Sequence, residues 1–466
     1  MHEDDQQFER AELAREEGSR LPKEDTSTNG TPEPESGKLE ERVVTGWRWD
    51  DQLLEQVYDP ETGEVGFELF DSTVGEVRQI GGAGLVVPGT SIQLMPLSDA
   101  LIARGVVLLP VKSEPFGSTE ILLAQIKQHI RQYVVLPEES DEIIAAHYVL
   151  FTHLFDRFDT APYLRFIGDL GTGKTRAVQV IGELCYKPLG GQGNASGPSL
   201  YRTLDMLGGG TLLLDETDFN PRNDDHQEKM TLLRSGYQRY GSDVLKMDPM
   251  RDGGYRTRAF NVFGPKILAG RERFPDDALE SRCIRIYMNS GVELRDVPHE
   301  LTADYHAMAL RLRNKLLRWR QEYFFKPLRD VEKINVDARL FQLYAPLARL
   351  IKDDDALYAL RSTVLQLQGE MIEARRNSKE GRIAAGLLRL WSSLDATGPK
   401  QIRVKAVAEE ASKELPEGSG YSPRSVSTVL KGFGLEVRRD RDGAFVQFEP
   451  KDLRFVLARY GLAEAA

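Results

Sequence analysis

Apolar and polar positions in the middle of the chain follow a pattern that predicts strands alternating with helices. The apolar run Tyr163–Ile167 precedes a helical pattern that begins at Lys174 and ends near Cys185. A second apolar run covers residues 211–214 and leads to another helical pattern at about 227–240. Strands that alternate with helices form a parallel sheet with helices on both faces, so we predict an α/β fold here.

The pattern before this region is different. Residues 1–45 are rich in Glu, Asp, Ser, Pro and Gly and contain almost no aromatic side chains, so we expect a disordered acidic tail. The next segment, 46–135, is predicted to be a small β-rich module that ends in a connector helix at 118–133. Its short apolar stretches alternate with turns at 65–70, 84–87 and 105–109.

Helical periodicity dominates the segment after the sheet, and the C-terminal part adds a hairpin. We assign residues 136–300 to the sheet and its helices and residues 301–378 to a helical lid beside it. Three amphipathic helices follow, the last opened by Ser422 as N-cap and by Pro423, and two alternating runs then close the pattern. Three helices and a hairpin predict a winged helix over 379–466.

The residues between the first strand of the sheet and its helix match a phosphate-binding pattern. The pattern G-x-x-x-x-G-K-[ST] is fulfilled by Gly168-Asp169-Leu170-Gly171-Thr172-Gly173-Lys174-Thr175. In such a loop, backbone N–H groups and the helix N-terminus surround phosphate oxygens. We assign Lys174 to the β- and γ-phosphates and the Thr175 hydroxyl to Mg²⁺, and we include Arg176 in the nucleotide-binding set. A chance match to a short pattern is the alternative.

Two carboxylates argue against chance. Asp215 and Glu216 end the apolar run 211–214, which we interpret as the neighbouring parallel strand of the same sheet. Asp215 would hold hydrated Mg²⁺ and Glu216 would polarise the attacking water, so the pair indicates hydrolysis and not binding alone. The sequence therefore predicts an ATPase that uses ATP and Mg²⁺.

A basic hairpin is predicted between this strand and the next core strand, 266–270. Apolar residues within 243–258 flank a proline and a Gly-Gly pair. The cations are Lys246 and Arg251, placed at the tip, and Arg256 and Arg258, placed on the return strand. Such a hairpin would project towards the centre of a ring and grip phosphates, and a solvated surface hairpin is the alternative.

Arginines near the following strands are candidates for contacts to the γ-phosphate. Arg282 stands just before an apolar strand, where ring ATPases present a finger to the neighbouring subunit. A structural salt bridge is the alternative, because Arg271, Arg273 and Arg285 lie close by and any of them could exchange roles. Arg271 is the candidate for sensing the γ-phosphate in cis, and Arg339 in the lid is the candidate for a second sensor.

Taken in order, these motifs resemble the AAA+ ATPases from about residue 136 to the C-terminus. The similarity is greatest to the helicase-type branch, which includes the MCM-like replicative helicases and the ATPases of phages, plasmids and chromosomal islands. Ser281-Arg282 resembles the Ser-Arg-Phe finger of the MCM proteins, and Arg271 stands where the family usually carries Asn. The resemblance implies a ring, with a hexamer expected, that translocates on DNA as a helicase for a mobile element.

The winged helix would add a second contact to DNA. Its cations on the third helix and around the wing are Arg424, Lys431, Arg438, Arg439 and Arg441. A protein-binding winged helix is the alternative, because the basic excess there is small. Two other functions stay open for the whole chain: a ring ATPase that remodels or loads protein complexes without unwinding DNA, and a nucleotide-gated DNA-binding regulator.

Composition narrows the cellular setting. The chain has 466 residues, 41% of them hydrophobic, and a net charge of −11, with much of the acid in the first 45 residues. No apolar run approaches the roughly 20 residues of a membrane span, so we expect a cytoplasmic protein whose partners are single-stranded or forked DNA and copies of itself. Cys185 and Cys283 have no metal-ligand neighbours, and we expect both to be buried.

Overall fold

The computed structural model describes residues 39–190, 195–217, 219, 222–249, 254–288, 297–394, 400–416 and 418–462. Within these ranges it divides into a smaller unit, residues 39–42 with 86–93, and a larger unit, residues 43–85 with 94–462. The predicted acidic tail lies almost wholly outside the described residues.

The N-terminal part of the described chain consists mainly of strands. They are β1 (Glu40–Val44), β2 (Gly46–Trp49), β3 (Gln52–Tyr58), β4 (Val65–Asp71), β5 (Glu76–Ile80), β6 (Leu85–Val86) and β7 (Ile92–Pro96). In the smaller unit, the Val87 N–H donates to the Ile92 carbonyl over 2.9 Å, and the Glu40 N–H donates to the Ser91 carbonyl over 2.8 Å. In the larger unit, an antiparallel sheet has the order β2-β3-β4-β5.

One strand predicted for this part is absent. The alternation at 65–70 agrees with β4, but residues 105–109 form no strand and Val107 makes only an isolated bridge with Leu189. The reason is local, because helix α1 (Ala100–Ala103) ends just before them and the Val106 and Val107 N–H groups both donate to the Leu101 carbonyl.

Two longer helices lead into the central sheet. Helix α2 (Thr119–Tyr133) begins where the Ser118 side chain accepts the Ile121 N–H, as the predicted connector requires. Helix α3 (Glu139–Thr152) begins where Glu138 and Asp141 form a capping box.

The central region alternates strands and helices. Its elements are β8 (Tyr163–Ile167), α4 (Lys174–Gly182), α5 (Gly197–Met206), β9 (Leu212–Leu214), α6 (Asp224–Ser235), β10 (Asp243–Pro249), β11 (Tyr255–Asn261), β12 (Lys266–Gly270), α7 (Asp277–Glu280) and β13 (Cys283–Tyr287). Strands β8, β9, β12 and β13 form a parallel sheet in the order β13-β8-β12-β9, which confirms the predicted α/β fold. Burial on both faces explains why these strands are mostly apolar, with Arg165 in β8 and Lys266 in β12 as buried exceptions.

The predicted neighbour relation within this sheet is wrong. Strand β12 lies between β8 and β9 and pairs with β8 residue by residue, from Lys266 opposite Tyr163 to Gly270 opposite Ile167. Strand β9 pairs with the other side of β12, with Leu212 opposite Lys266. Sequence order does not determine pairing order, since a later strand can insert between two earlier ones.

Helices dominate the described chain from residue 297 onwards, and three short strands accompany the last of them. These elements are α8 (Ala303–Tyr323), α9 (Ala338–Ala348), α10 (Asp354–Asn377), α11 (Lys379–Ser392), β14 (Lys400–Arg403), α12 (Val404–Ser412), α13 (Pro423–Gly432), β15 (Val437–Asp440), β16 (Gly443–Phe448) and α14 (Pro450–Arg459). The strands form an antiparallel sheet in the order β14-β16-β15, in which β14 was not expected from the sequence. Among the described helices, none combines the length and apolar character that a membrane crossing requires.

The buried apolar residues fall into two groups. One cluster extends from Leu53 to Leu367 and fills the space around the parallel sheet. A second cluster contains only residues from Ile383 to Tyr460, so the C-terminal elements have a core of their own. Both cysteines are buried, as expected from the sequence.

A single residue, Ser378, joins α10 to α11. Its hydroxyl donates to the Arg375 carbonyl over 2.6 Å and accepts the Gly381 N–H over 3.1 Å, so it caps the end of one helix and the start of the next. Gly381 allows this close approach, because a Cβ there would lie 2.2 Å from the Arg375 carbonyl oxygen. The Arg376 guanidinium also donates to the Gly461 carbonyl, which attaches α10 to the C-terminal core.

Buried charges hold the N-terminal strands to the rest of the larger unit. Arg320, on α8, donates to Glu55 on β3 over 2.7 Å and to both Asp156 carboxylate oxygens over 2.8 and 2.7 Å. Its Nη1 also donates to the His153 carbonyl over 2.6 Å, and the Tyr186 hydroxyl donates to Glu55 over 2.8 Å. Buried ions are tolerated only when they are paired and hydrogen-bonded in this way.

We predict that Arg320→Ala lowers the free energy of unfolding by about 3–5 kcal/mol, because it leaves the Glu55 carboxylate buried without its main partner. Denaturant unfolding followed by circular dichroism measures this loss. Arg318→Ala, on the same helix, is the matched control, and its partly exposed pair with Glu322 should be worth less than about 1 kcal/mol. Equal losses for the two variants would contradict the assignment.

Candidate active site

The loop between β8 and α4 has a backbone that requires glycine at three positions. Gly171 and Gly173 have φ angles of 78° and 85°, in the left-handed region that glycine adopts without steric cost. Gly168 is needed for space, because a Cβ there would lie 2.2 Å from the Met288 carbonyl oxygen. The glycines of the sequence motif therefore have a conformational reason in this chain.

Lys174 at the start of α4 and Thr172 in the loop contact the same backbone carbonyl. The Lys174 Nζ donates to the Asp169 carbonyl over 2.6 Å, and the Thr172 hydroxyl donates to the same carbonyl over 2.8 Å. The first N–H groups of a helix have no partners within the helix. The ammonium group of Lys174 and these backbone N–H groups thus line a concave site that suits an anion.

An acidic residue from β9 meets this helix start. The Thr175 hydroxyl donates to the Asp215 carboxylate over 2.5 Å, although β12 separates β9 from β8. The contact forms because all strands of a parallel sheet end at the same edge. A hydroxyl beside a carboxylate gives the hard oxygen donors that Mg²⁺ prefers, so these residues fit a magnesium ion.

Glu216 has an unusual backbone conformation beside that carboxylate. Its φ of 59° lies in the left-handed region, and its N–H donates to the Asp215 side chain over 3.0 Å. The N–H and hydroxyl of Thr217 then both donate to the Ala269 carbonyl, over 2.8 and 2.7 Å. Glu216 is therefore held between two anchored residues at the edge of the sheet, and strained residues of this kind cluster at functional sites.

Two further arginines of the sequence analysis are located at this edge. Arg271 directly follows Gly270, the last residue of β12. The Gly270 carbonyl accepts the Gly168 N–H over 3.3 Å, which places Arg271 next to the loop. Arg176 instead donates to the carbonyls of Pro298, over 3.1 Å, and of His299. Its guanidinium thus contacts the backbone that follows β13.

Arg273 and Arg285 have structural partners, which distinguishes them from Arg282. Arg285 is buried and pairs with Glu280 and with Glu370, each over 3.0 Å. Arg273 pairs with the same Glu370 oxygen over 2.5 Å. These two arginines therefore connect α10, which carries Glu370, to the region of the sheet, and no sequence motif marked Glu370 as their partner.

Arg282 lies at the opposite edge of the sheet from the glycine-rich loop. Its carbonyl accepts the Tyr163 N–H over 3.0 Å, at the start of β8, whereas the loop follows Ile167 at the end of β8. At about 3.3 Å per residue, the length of β8 puts these two edges about 16 Å apart. The Arg282 Nε and Nη1 are buried and have no hydrogen-bond partner among the described residues. Burial lowers the pKa of this guanidinium, and the charge of Arg339 acts in the same direction.

Arg339 lies near Arg282 beside the ring of Tyr237, and its role as a second sensor stays a prediction. The Tyr237 ring has its centroid 5.6 Å from the Cζ of Arg282 and 6.0 Å from the Cζ of Arg339. Tyr237 lies beside the start of β8, because its carbonyl accepts the Ala161 N–H over 2.8 Å. The packing of α9 on this edge determines where Arg339 lies, and no sequence motif marked Tyr237.

The hairpin is present as the antiparallel pair β10 and β11, but its cations are arranged differently from the prediction. Lys246 is not at the tip: it lies in the middle of β10 opposite Arg258. Lys246 pairs with Glu228 over 2.9 Å, and Arg258 pairs with Asp205 over 3.4 Å. The exposed residue Arg256 lies on the return strand, as expected, and position 251 of the predicted set is outside the described residues.

The cations expected on the C-terminal elements are exposed. Two lie on α13 and three on or beside β15, namely Arg424, Lys431, Arg438, Arg439 and Arg441. Arg438 is paired with Glu436 over 2.7 Å. Arg403, which the sequence did not single out, lies close by and pairs with Asp440 over 2.5 Å. This surface therefore contains both charges.

No family model and no curated protein sequence matches the chain. Among solved structures, the chain is similar to the C-terminal region of NrS-1 in its A form apo structure, at 13% identity and a TM-score of 0.35, with 85% of this chain and 95% of that chain covered. For SCCmec type IV Cch, described as an active helicase, the identity is 12% and the TM-score 0.39, with 87% and 94% covered. For Drosophila ORC bound to DNA, the identity is 13% and the TM-score 0.19, with 72% of this chain and 91% of that chain covered.

We predict that Arg285→Ala lowers the free energy of unfolding by at least about 2 kcal/mol, because it removes two buried charged hydrogen bonds. Arg282→Ala should change it by less than about 1 kcal/mol, because the described residues offer its buried nitrogens no partners. Chemical denaturation of both variants and the wild type gives the comparison. A large loss for Arg282→Ala would mean that this arginine is structural.

Proposed function

We propose that the chain is an ATP-dependent, ring-forming DNA translocase or helicase that serves the replication of a mobile element. The observation that supports this most is the division of polar residues between the two edges of the parallel sheet. Lys174, Thr175, Asp215 and Glu216 lie at one edge, and the half-buried Arg282 lies at the other. An arginine finger of this chain can therefore act only on the site of a second copy.

ATP would bind in the glycine-rich loop with its phosphates on the backbone N–H groups of residues 168–175. Lys174 would turn from the Asp169 carbonyl to the β- and γ-phosphates, and Thr175 and Asp215 would hold Mg²⁺. When bound, the ion would neutralise charge that develops on the phosphate oxygens. Glu216 would orient the attacking water, and Arg271 would contact the γ-phosphate from the same edge.

The neighbouring copy would complete this site with its Arg282. The buried Nε and Nη1 of Arg282 have no hydrogen-bond partner among the described residues, so this guanidinium gains charge-assisted hydrogen bonds when a phosphate arrives. Arg339 would act beside it, because the two share the Tyr237 ring and both would approach the neighbour's nucleotide. In the related phosphoryl transferases, a finger of this kind is worth about 10³–10⁵ in turnover.

The domain assignments and the DNA contacts belong to the same proposal. We assign residues 46–135 to the N-terminal module, 136–300 to the ATPase core and 301–378 to the lid. Residues 379–466 would form a winged helix, with α13 as the recognition helix and β15–β16 as the wing. DNA would contact the cations of the β10–β11 hairpin and of this C-terminal region.

A second candidate function is the remodelling or loading of a protein complex without unwinding. It is favoured by the ion pairs of Lys246 with Glu228 and of Arg258 with Asp205, which reduce the charge that the hairpin offers to phosphates. Strand displacement on a forked DNA distinguishes the candidates. Hydrolysis that supports no displacement, and is not stimulated by single-stranded DNA, favours the remodelling function.

We predict that Lys174→Ala abolishes ATP hydrolysis, because the β- and γ-phosphates lose their cation. Phosphate release under saturating ATP and Mg²⁺ measures it. The control Lys413→Ala, at an exposed lysine paired with Glu410, should keep the wild-type rate. Wild-type turnover by Lys174→Ala would refute the assignment of this loop.

A mixing experiment tests the finger in trans. Arg282→Ala and Glu216→Gln should each be inactive alone, but an equal mixture should regain activity at about one quarter of its interfaces, where an intact site meets an intact finger. A mixture of Lys174→Ala with Glu216→Gln is the control, since both changes damage the same site and no recovery is expected. Intact assembly without recovery in the first mixture would argue against a finger in trans.

A further inference from the structure

The hairpin of β10 and β11 has two chemically different faces. Directly opposed residues of an antiparallel pair share a face. The inner face contains the pairs Val244 with Phe260 and Lys246 with Arg258. Phe260 is buried and packs on Tyr201 of α5, with ring centroids 4.9 Å apart. The inner face is therefore attached to the helices of its own chain.

The outer face is exposed and mostly apolar. It contains the pairs Leu245 with Ala259 and Met247 with Thr257, the side chain of Tyr255 and, nearer the base, the polar pair Asp243 with Asn261. The exposed fractions are 65% for Leu245, 60% for Met247 and 67% for Tyr255. At the base of the hairpin, Tyr240 is 98% exposed. A run of large apolar side chains in water is unfavourable and is typical of an interaction surface.

This outer face is continuous with the edge that carries Arg282. The hairpin base is closed where the Val262 N–H donates to the Ser242 carbonyl over 3.2 Å, just before β12 begins at Lys266. Tyr240 is three residues after Tyr237, whose ring lies beside Arg282. The hairpin, Tyr240 and the arginine cluster thus all arise from the edge where the parallel strands start.

Charge favours a protein over nucleic acid as the occupant of the outer face. Two inner-face cations, Lys246 and Arg258, are paired with Glu228 and Asp205. Arg256 lies on the same inner face. Among the described outer-face pairs, the charged side chain is the carboxylate of Asp243, opposite Asn261, and none of these pairs carries a cation. Nucleic-acid binding by stacking is usually accompanied by a basic groove that follows the backbone, and this face lacks one in the described residues.

We propose that the outer face, formed by Leu245, Met247 and Tyr255 with Tyr240 at its base, is buried against a second copy of this chain. This inference rests on the proposed function, because the same contact would bring Arg282 to the neighbour's triphosphate. The contact is heterologous: the edge with Arg282 on one copy faces the edge with the glycine-rich loop on the next. The stem of the hairpin then holds neighbouring copies together.

The double variant Leu245→Ser with Met247→Ser tests the proposal. Sedimentation velocity with a non-hydrolysable ATP analogue and Mg²⁺ gives the protein concentration at half-assembly. We expect this concentration to rise at least about tenfold, because two large apolar side chains are lost from the contact. Tyr240→Ser should shift it in the same direction. The controls Val74→Ser and Tyr358→Ser, at residues 65% and 73% exposed elsewhere, should assemble like the wild type.

Binding of a fluorescent ATP analogue by the dilute variants shows that they are folded. Wild-type assembly of the double variant overturns the inference and leaves the proposed function standing. Unchanged assembly with loss of binding to a labelled single-stranded oligonucleotide also overturns it, since the occupant is then nucleic acid. A wild-type chain that stays monomeric with every nucleotide overturns both the inference and the proposed function.

A crosslinking measurement does not depend on any loss of stability. Both native cysteines are buried, so Met247→Cys adds a thiol that a benzophenone maleimide can label selectively. We expect light to produce crosslinks between copies when the ATP analogue is present and no DNA is added. The matched variant Val74→Cys should produce none. Equal crosslinking at the two positions would contradict the proposed contact.

Discussion

The direction of the parallel sheet is the constraint on which the rest of the larger unit depends. Because β8, β9, β12 and β13 run the same way, everything that follows a strand meets at one edge. That edge brings Thr175 to Asp215 across an intervening strand and holds Glu216 in a left-handed conformation. Everything that precedes a strand meets at the other edge, where Arg282, Arg339 and the base of the hairpin lie. Two polar regions of one chain are thereby kept apart.

Local patterns explain what the sequence could predict. The glycine-rich loop was recognisable because its backbone needs left-handed residues at Gly171 and Gly173, and few residues other than glycine supply them. Strands β8 and β12 were recognisable because burial on both faces favours near-continuous apolar runs, which only Arg165 in β8 and Lys266 at the start of β12 interrupt. The hairpin was predicted from its turn residues, and its existence agrees with the structure.

Features that depend on distant parts of the chain could not be predicted in this way. The position of β12 between β8 and β9 depends on which strands pair, and local sequence does not determine that pairing. The position of the tip of a hairpin depends on the register of its strands, so the prediction misplaced Lys246. Arginines near one another in sequence look equivalent, yet Glu280 and Glu370 bind Arg285 and leave Arg282. Arg339 joins that residue only because α9 packs at the same edge.

The joint at Ser378 has a consequence for how motion can travel. Helix α10 has 24 residues and is about 36 Å long. Near its C-terminal end, Glu370 forms ion pairs with Arg273 and Arg285. Only Ser378 separates α10 from α11, and its hydroxyl both donates and accepts a hydrogen bond, so the connection between the two helices allows little flexibility. A change in the tilt of α10 would therefore change the orientation of the C-terminal elements as well.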